Sequence, residues 1–219
     1  MAQFIVIPPT NETVTPGQEA KAQQMVTSLC KAPMIDSGEQ LAMLQRIVQR
    51  FRPNPLFRLN KVSIVLVNSP AVNAGTIIQA SHHNSVICLD SGLMAAMGDS
   101  EAEVAAVIAH ELGHAFDLVC GQYIGIEARQ KPTNELRRTC EARADDVGFK
   151  TLVAAGYNPF AMAGAFGRLE AFAGDTRTNL LARLLNTLTS DHPITPDRIQ
   201  AVHKMIGEYF CHENPAACR

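Results

Sequence analysis

Tryptophan is absent from this chain of 219 residues, aromatic side chains make up only 5% of it, and charged ones only 18%. No apolar run approaches the roughly 18 residues of a membrane-spanning helix, which predicts a soluble chain without a transmembrane segment. The formal net charge of -2 gives no electrostatic reason to expect nucleic acid or an anionic membrane as a partner. The composition is that of a globular protein, 47% apolar, and the length suits one domain, residues 1–219.

The cysteines and the N-terminus bear on the compartment. Residues 1–9 lack the basic stretch and the long apolar stretch of a secretory signal. Six cysteines are too few for a disulfide scaffold in a chain of this length. We expect buried free thiols at the three cysteines in predicted strands or helices: Cys88, Cys120 and Cys140. Cys211 and Cys218 are spaced to close a small loop in an oxidising compartment. The cytoplasm is favoured, with a periplasmic or secreted location open if a leader was removed.

The stretch with the strongest chemical signature is His110-Glu111-Leu112-Gly113-His114. Two histidines four residues apart on a helix leave the same face, so both imidazoles can reach one metal ion. Glu111 follows the first histidine, where its carboxylate can lean over a water on that metal. This is the His-Glu-x-x-His signature of zinc peptidases, with the histidines as ligands and the glutamate as general base. The alternative is a surface pair or two core histidines.

The flanking residues predict that this stretch is helical. Ser100 followed by Glu103 fits a capping box, and Glu101 and Glu103 suit the positive end of the helix dipole. Apolar residues then recur at helical spacing from Val104 to Ala115, which predicts one apolar face for the core.

The first 100 residues predict two helices and a small sheet. Residues 1–14 form an arm without clear structure. One helix runs from Thr15-Pro16 to about Cys30, and a second is opened by a capping box at Ser37 and Gln40 and runs to about Phe51. A strand is predicted from Lys61 to Asn68, and a hairpin from Thr76–Ala80 and Val86–Leu89. The tip histidines, His82 and His83, point to opposite faces and are read as solvated rather than as ligands.

A long helix from Pro132 to Gly156 carries the candidates for a third ligand. Glu141 and Asp145 are four apart on one face, which fits a zinc ligand followed by an outer partner of a ligand histidine. Surface ion pairing is the alternative account of these carboxylates. Spacing alone leaves three other candidates for the third ligand: Asp117, Glu127 and Glu135.

The remainder of the chain predicts further helices. One runs from Asn158-Pro159 to about Ala173, with Phe160, Phe166, Leu169 and Phe172 mostly in the core. A leucine-rich stretch, Asn179 to Leu188, predicts a short helix. A loop with His192-Pro193 then precedes a helix that Thr195 and Pro196 start and that ends near Phe210.

Several separated motifs, taken in order, resemble those of the zinc metallopeptidases of the HtpX and CAAX prenyl protease type, which are gluzincins. The motifs that carry the resemblance are Val72-Asn73-Ala74, the run Val86 to Leu93, Ala109 to His114, Glu141-Ala142-Arg143-Ala144-Asp145, and His192-Pro193 with Arg198. The resemblance covers about residues 61–206, the predicted catalytic core. Many zinc peptidases share the first histidine motif, whereas the Glu-x-x-x-Asp and His-Pro…Arg pieces make the assignment specific.

The resemblance implies a mostly helical α+β fold, a zincin-like metallopeptidase domain with a small antiparallel sheet and an active-site helix. It implies one Zn²⁺ per chain and assigns these roles: zinc ligands His110, His114 and Glu141; general base Glu111; ligand-orienting Asp145; carbonyl-facing His192 and Arg198; and substrate-binding Asn73. Many relatives carry membrane helices around the catalytic domain, and none is predicted here, so prenylated or membrane-embedded substrates are not expected.

The implied function is a zinc-dependent endopeptidase that hydrolyses peptide bonds in unfolded or flexible segments. The metal lowers the pKa of its water to about 7, and Glu111 takes the proton. An extended substrate would pair with the edge of the hairpin Thr76–Leu89. Two alternatives are a chaperone-like quality-control module with a latent metal site, and a self-inhibited precursor whose cleft holds the arm 1–14 or a residue of Cys211-His212-Glu213, at the start of the tail 211–219. The oligomeric state is not predicted.

Overall fold

A mixed four-stranded sheet and a layer of helices make up the computed structural model. It describes residues 5–7, 28–35, 37–58, 61–79, 84–98, 100–117, 120, 132–176 and 192–218. The mostly helical α+β class predicted from the sequence is confirmed.

The sheet has the strand order β1-β2-β4-β3. Its strands are β1 (Ile5–Ile7), β2 (Lys61–Val67), β3 (Ala74–Gln79) and β4 (Asn84–Asp90). The predicted hairpin is confirmed, because β3 and β4 pair antiparallel. The antiparallel sheet expected from the sequence is wrong, because β4 folds back between β3 and β2 and therefore runs parallel to β2.

β1 corrects the expectation of an N-terminal arm without structure. Ile5–Ile7 pair antiparallel with β2 at the sheet edge opposite to β3. With neighbouring strands about 4.8 Å apart, three strand spacings put this segment roughly 14 Å from β3.

The helices are α1 (Glu39–Phe51), α2 (Ser91–Ala96), α3 (Glu101–Phe116), α4 (Asn134–Ala154), α5 (Ala161–Thr176) and α6 (Pro196–Glu213), with 3₁₀ turns at Pro55–Arg58 and Pro215–Cys218. No helix in these described ranges is both long and apolar enough to cross a membrane.

The caps predicted at Ser100 and Thr195 are confirmed, and the one predicted at Ser37 is wrong. Ser100, Thr133 and Thr195 each accept a hydrogen bond from the backbone three residues on, at the starts of α3, α4 and α6. The predicted capping box at Ser37 is wrong, because Gly38 is the N-cap residue of α1 and no described side chain makes a capping hydrogen bond there.

α3 is the centre of the molecule. Every residue from Val104 to Ala115 is buried, so the helix is covered on all sides rather than along the single apolar face predicted. The apolar face of the sheet, with Val62, Ile64 and Leu66 of β2, lies in the same core. α1 contributes Leu44, Ile47 and Phe51 to the same cluster. The metal motif therefore lies on a helix that is buried over most of its length.

The three predicted free thiols are wrong, because every cysteine is in a disulfide. The pairs are Cys30–Cys88, Cys120–Cys140 and Cys211–Cys218. Only the last was foreseen, since a separation of 7 residues is visible in the sequence, whereas the other pairs need the fold to bring distant segments together. Cys30 joins the segment before α1 to the sheet face with Val65 and Val67.

Other predictions differ at single residues or fall outside the structure. Phe160 is 51% exposed rather than in the core, whereas Phe166 and Leu169 are buried as predicted. The following predictions lie outside the described residues: the helix over residues 15–27, His82 and His83, Glu127, and the helix Asn179 to Leu188.

Candidate metal centre

Four side chains from three parts of the chain meet at the buried end of α3. His110 and His114 come from α3, Glu141 from α4, and His192 from the loop before α6, and one donor atom from each lies within 4.8 Å of the others. The Nε2 atoms of His110 and His114 lie 3.4 and 3.3 Å from the two carboxylate oxygens of Glu141. Among the candidates for a third donor that the structure describes, which are Glu141, Asp117 and Glu135, Glu141 is the one in this group.

The donor set fits zinc by its chemistry and by its spacing. Imidazole nitrogens and a carboxylate oxygen are zinc's ordinary ligands, and bonds of about 2.0–2.1 Å in a tetrahedron put neighbouring donors about 3.3 Å apart. His192 Nδ1 lies 3.5 Å from His110 Nε2 and 3.3 Å from His114 Nε2, so imidazole nitrogens face one another. A cation between them accounts for this arrangement better than hydrogen bonds do, because each neutral ring has only one N–H to donate.

The helices approach closely where the ligands lie. A Cβ on Gly113 would lie 2.4 Å from the backbone oxygen of Ala144, and one on Gly148 would lie 2.8 Å from that of Ala109. Any larger residue at these positions would push α3 and α4 apart. The two glycines therefore permit the helix separation at which Glu141 reaches both histidines.

Asp145 and Arg198 lie behind the donors. His110 Nδ1 is 2.8 Å from Asp145 Oδ1, so this ring donates its Nδ1–H to the carboxylate and turns Nε2 toward the group. Arg198 donates to both oxygens of Asp145, at 2.8 and 2.7 Å, and lies 2.9 Å from Glu141 Oε2. It also donates to the backbone oxygen of Pro193. These contacts orient the carboxylates, which differs from the carbonyl-facing role that the resemblance implies for Arg198.

The charges of the site move several pKa values. Burial by itself lowers the pKa of His110, but Asp145 and Glu141 outweigh it and raise that pKa to about 10. Burial by itself raises the pKa of Glu141, but hydrogen bonds with His110, His114 and His192 hold it well below its usual range. For the pKa of Asp145, burial is likewise outweighed by Arg198 and His110, which lower it. The carboxylates are thus kept ionised, as metal ligands and their partners must be.

Glu111 is fully buried at 0% exposure, beside the donors but not one of them. Its Oε2 accepts a hydrogen bond from Thr76 of β3 at 2.6 Å. Its Oε1 has no hydrogen-bond partner among the described residues and lies 3.8 Å from His192 Nε2. Burial alone would raise the pKa of Glu111, but the three histidines and Thr76 outweigh it and lower that pKa. An ionised carboxylate with a free oxygen is what a general base requires.

The remaining predicted residues, Asn73, Asp117 and Glu135, are not donors in this group. Asn73 precedes β3, and its backbone oxygen accepts from Asp90 N, while its Oδ1 is buried without a hydrogen-bond partner in the described part of the chain. Asp117 pairs with Arg143 and accepts from Cys120 N. Glu135 is exposed in the first turn of α4. Neither carboxylate belongs to the donor group.

Neither chain end contributes a described residue to the site. A self-inhibited precursor, one of the alternatives, would hold the arm or the tail in its cleft. Ile5–Ile7 instead pair at the far edge of the sheet. His212 and Glu213 end α6, some 20 Å along that helix from Arg198 at a rise of about 1.5 Å per residue.

Sequence reasoning missed two features of the site. Thr76 was placed on a strand but not at Glu111, because no local pattern reveals a contact 35 residues away. His192 was assigned to the carbonyl side, and its Nδ1 as a possible fourth donor was not foreseen. Only the folded loop brings it to 2.9 Å from Glu141 Oε1.

The sheet, the central helix and the donor group are those of a zincin-like metallopeptidase domain. The family model described as Peptidase family M48 matches residues 39–117 and 121–206, well over half of the chain, which therefore belongs to that family. Membership makes this protein a metallopeptidase, a hydrolase of polypeptides. The match includes α1, which lies before the core at residues 61–206 predicted from sequence. No curated protein matches the chain.

Proposed function

We propose that this protein is a zinc-dependent endopeptidase that cleaves unfolded or flexible polypeptide segments. The observation that carries the proposal is the convergence of His110, His114 and Glu141 beside Glu111, whose carboxylate is buried, with its pKa lowered and one oxygen without a described partner. The finer likeness to the HtpX and CAAX prenyl protease type is part of this proposal, since the family match is common to all of M48.

Each residue of the site has a proposed role that follows from its position. His110, His114 and Glu141 would hold one zinc ion, with Asp145 fixing the ring of His110 and Arg198 fixing Asp145. When bound, zinc supplies Lewis acidity, which makes water a nucleophile at neutral pH and polarises a carbonyl. Glu111 takes a proton from the attacking water through Oε1 and passes it to the leaving amine.

β3 is the proposed substrate platform. In the described sheet its one neighbour is β4, so its outer backbone groups are open to pair with an extended peptide. We propose that Asn73, just before this strand, accepts a hydrogen bond from substrate backbone through its Oδ1, which has no hydrogen-bond partner among the described residues. Backbone pairing reads extended conformation more than side-chain identity, which favours unfolded segments as substrates.

The test is chelator-sensitive cleavage of casein, with Glu111→Gln as the diagnostic variant. We expect Glu111→Gln to keep its zinc and lose about 10²- to 10⁴-fold in kcat, the usual share of a general base. A Glu111→Gln protein with full activity would remove the assigned base. Cleavage that survives complete removal of zinc would exclude metal-dependent hydrolysis.

A second candidate is a latent form in which His192 completes the metal's coordination. Its Nδ1 is close enough to all three ligands to serve as a fourth donor, and a zinc site with four protein ligands is closed to substrate. The loop would have to release His192 before hydrolysis. A closed site also suits the chaperone-like alternative, which binds clients without turnover.

Replacing His192 with Ala separates these roles. A closing ligand predicts that His192→Ala cleaves casein faster than the wild type, because a coordination position is freed. A carbonyl-facing role predicts a fall in kcat of about 10²- to 10³-fold at unchanged zinc content, as when one oxyanion donor is removed. Client binding without any cleavage by either protein would favour the chaperone-like reading.

The disulfides extend the proposal to the compartment. Disulfides persist in oxidising compartments and are rare in the cytosol, so three of them favour a periplasmic or extracellular site of action over the cytoplasm. Alkylation of the denatured, unreduced protein isolated from its native cell tests this directly: modified cysteines would contradict it.

A further inference from the structure

Thr76 joins the proposed substrate strand to the proposed base. It lies in β3, and its hydroxyl oxygen is 2.6 Å from Glu111 Oε2 and 2.9 Å from the backbone oxygen of Glu111. Its neighbours in the strand pair with β4, so its backbone is held in the sheet while its side chain reaches α3.

The direction of this hydrogen bond follows from the groups involved. An ionised carboxylate and a backbone carbonyl only accept, so the single hydroxyl proton of Thr76 goes to one of them. The shorter contact is to the carboxylate, and an O–H donated to an anion is the stronger bond. Thr76 therefore donates to Glu111 Oε2.

This donation makes the two oxygens of Glu111 unequal. Oε2 is occupied, whereas Oε1 is buried, has no hydrogen-bond partner in the described ranges, and is the oxygen near His192 of the donor group. A carboxylate without the Thr76 bond could rotate about its terminal torsion, whose energy profile is broad. A hydrogen bond to Oε2 is thus needed, in addition to the packing around the side chain, to keep Oε1 facing the metal site.

We propose that Thr76 is a positioning residue that holds Glu111 with Oε1 directed at the donor group. This inference rests on the proposed function, in which Glu111 is the base. Because Thr76 belongs to the strand that would pair with substrate, the base and the peptide are aligned by one element. A bond that merely ties β3 to α3 would instead affect stability and zinc content without a specific effect on kcat.

The experiment compares four variants with the wild type, zinc-loaded for the kinetics and both zinc-loaded and zinc-free for the resonance. Thr76→Val replaces the hydroxyl by a methyl group and keeps the β-branched shape that suits a strand. Thr76→Ser restores the donor. Thr139→Val makes the same change on an exposed face of α4, where the hydroxyl donates to the backbone oxygen of Glu135. Glu111→Gln reports on the base itself. The measurements are kcat and KM for an unstructured peptide, zinc content, and the ¹³C resonance of the Glu111 carboxyl group, which Glu111→Gln identifies.

We expect Thr76→Val to lower kcat about 10- to 100-fold, the effect of losing one hydrogen bond to a charged group. KM and zinc content should stay near the wild-type values. The Glu111 resonance should shift in Thr76→Val, with or without zinc, and return in Thr76→Ser together with most of the activity. Thr139→Val should change neither kcat nor the Glu111 resonance.

Three outcomes would overturn the inference. One is an unchanged kcat in Thr76→Val while Glu111→Gln is inactive, which leaves the proposed function standing. Another is an unmoved Glu111 resonance in Thr76→Val. The third is a parallel loss of zinc and activity that Thr76→Ser does not restore, which would make the contact structural. Full activity in Glu111→Gln is a different result, because it removes the base and the proposed function with it.

Discussion

At the residue scale, the site is dominated by buried negative charge. Glu111, Glu141 and Asp145 are 0–7% exposed, and Arg198 is the one arginine that lies among them in the described structure. When the histidines are neutral, as metal binding requires, three carboxylates against one guanidinium leave an excess of two negative charges. Uncompensated buried charge is strongly unfavourable, so a divalent cation matches the deficit. The raised pKa of His110 shows the same demand for positive charge.

Glu141→Ala should abolish stoichiometric zinc binding, because a carboxylate donor is lost from the group. Glu135→Ala is the matched control: the same residue type on the same helix, but exposed and outside the group. Metal analysis of both purified variants is the measurement. Equal zinc contents would mean that the third ligand is another residue.

Asp145→Asn should lower the free energy of unfolding of the chelator-treated protein and make that free energy less sensitive to a fall in pH. The pKa of Asp145 is lowered by Arg198 and His110, against burial, so its stabilising contribution is full above the ordinary value of 3.8 and is lost as pH falls below it. The lost buried pair should cost about 3–5 kcal/mol at pH 7, with little further loss between pH 5 and 3.

Urea unfolding at pH 7, 5 and 3 measures this effect. Asp146→Asn is the control, since it removes only an exposed pair to Lys150, and such pairs contribute little. An acid dependence in Asp145→Asn as steep as that of the wild type would show that other groups carry it.

At the scale of elements, the separation of α3 and α4 decides whether three ligands can converge. α3 supplies two of the proposed ligands, His110 and His114, at a spacing visible in the sequence, and α4 supplies the third, Glu141. Contacts of Gly113 with Ala144 and of Gly148 with Ala109 set how near these backbones lie. Glu141 therefore depends on glycines that bind nothing themselves.

Gly148→Ala should lower both stability and zinc affinity. Its new Cβ would lie 2.8 Å from the backbone oxygen of Ala109, and overpacking of this kind costs about 1–3 kcal/mol. Gly167→Ala in α5 is the control, because its Cβ would meet nothing within 4 Å and alanine favours a helix. Thermal unfolding and competition with a zinc chelator report the two quantities, and equal effects at both glycines would refute the packing argument.

At the scale of the whole molecule, the three disulfides differ in what they join. Cys30–Cys88 fastens the segment before α1 to the sheet, and Cys211–Cys218 closes the turn after α6. Cys120–Cys140 is different, because it links the chain just after α3 to α4 at the residue before Glu141. The two helices that carry the proposed ligands are thus covalently connected next to Glu141.

The double variant Cys120→Ser/Cys140→Ser, which removes this disulfide, should retain zinc less well and have a lower free energy of unfolding. A separation of 20 residues corresponds to about 3 kcal/mol of chain entropy in the unfolded state. The double variant Cys211→Ser/Cys218→Ser should also lose stability, but it should keep its zinc, because that pair lies at the far end of α6. Zinc release during dialysis against a chelator compares them. Equal release rates would show that the bond does not support the site.

The sequence by itself determined several of the elements and the chemistry of the motif. The i, i+4 spacing of His110 and His114, the cap at Ser100 and the hairpin are local patterns, set by helical and strand geometry over a few residues. The third donor at Glu141 could be singled out among four candidates only through the motifs that the chain resembles. The family match then agreed with the class of enzyme.

Only the tertiary structure decided which distant residues meet. The mixed order of the sheet, the two long-range disulfides, the contact of Thr76 with Glu111 and the place of His192 in the donor group join residues 20 to 82 positions apart. No periodicity records such pairings, because they depend on how helices and strands pack and not on the order of neighbouring side chains. The pKa values also depend on packing. Packing brings the hydrogen-bond partners and charges that outweigh burial and keep Glu141 and Asp145 ionised.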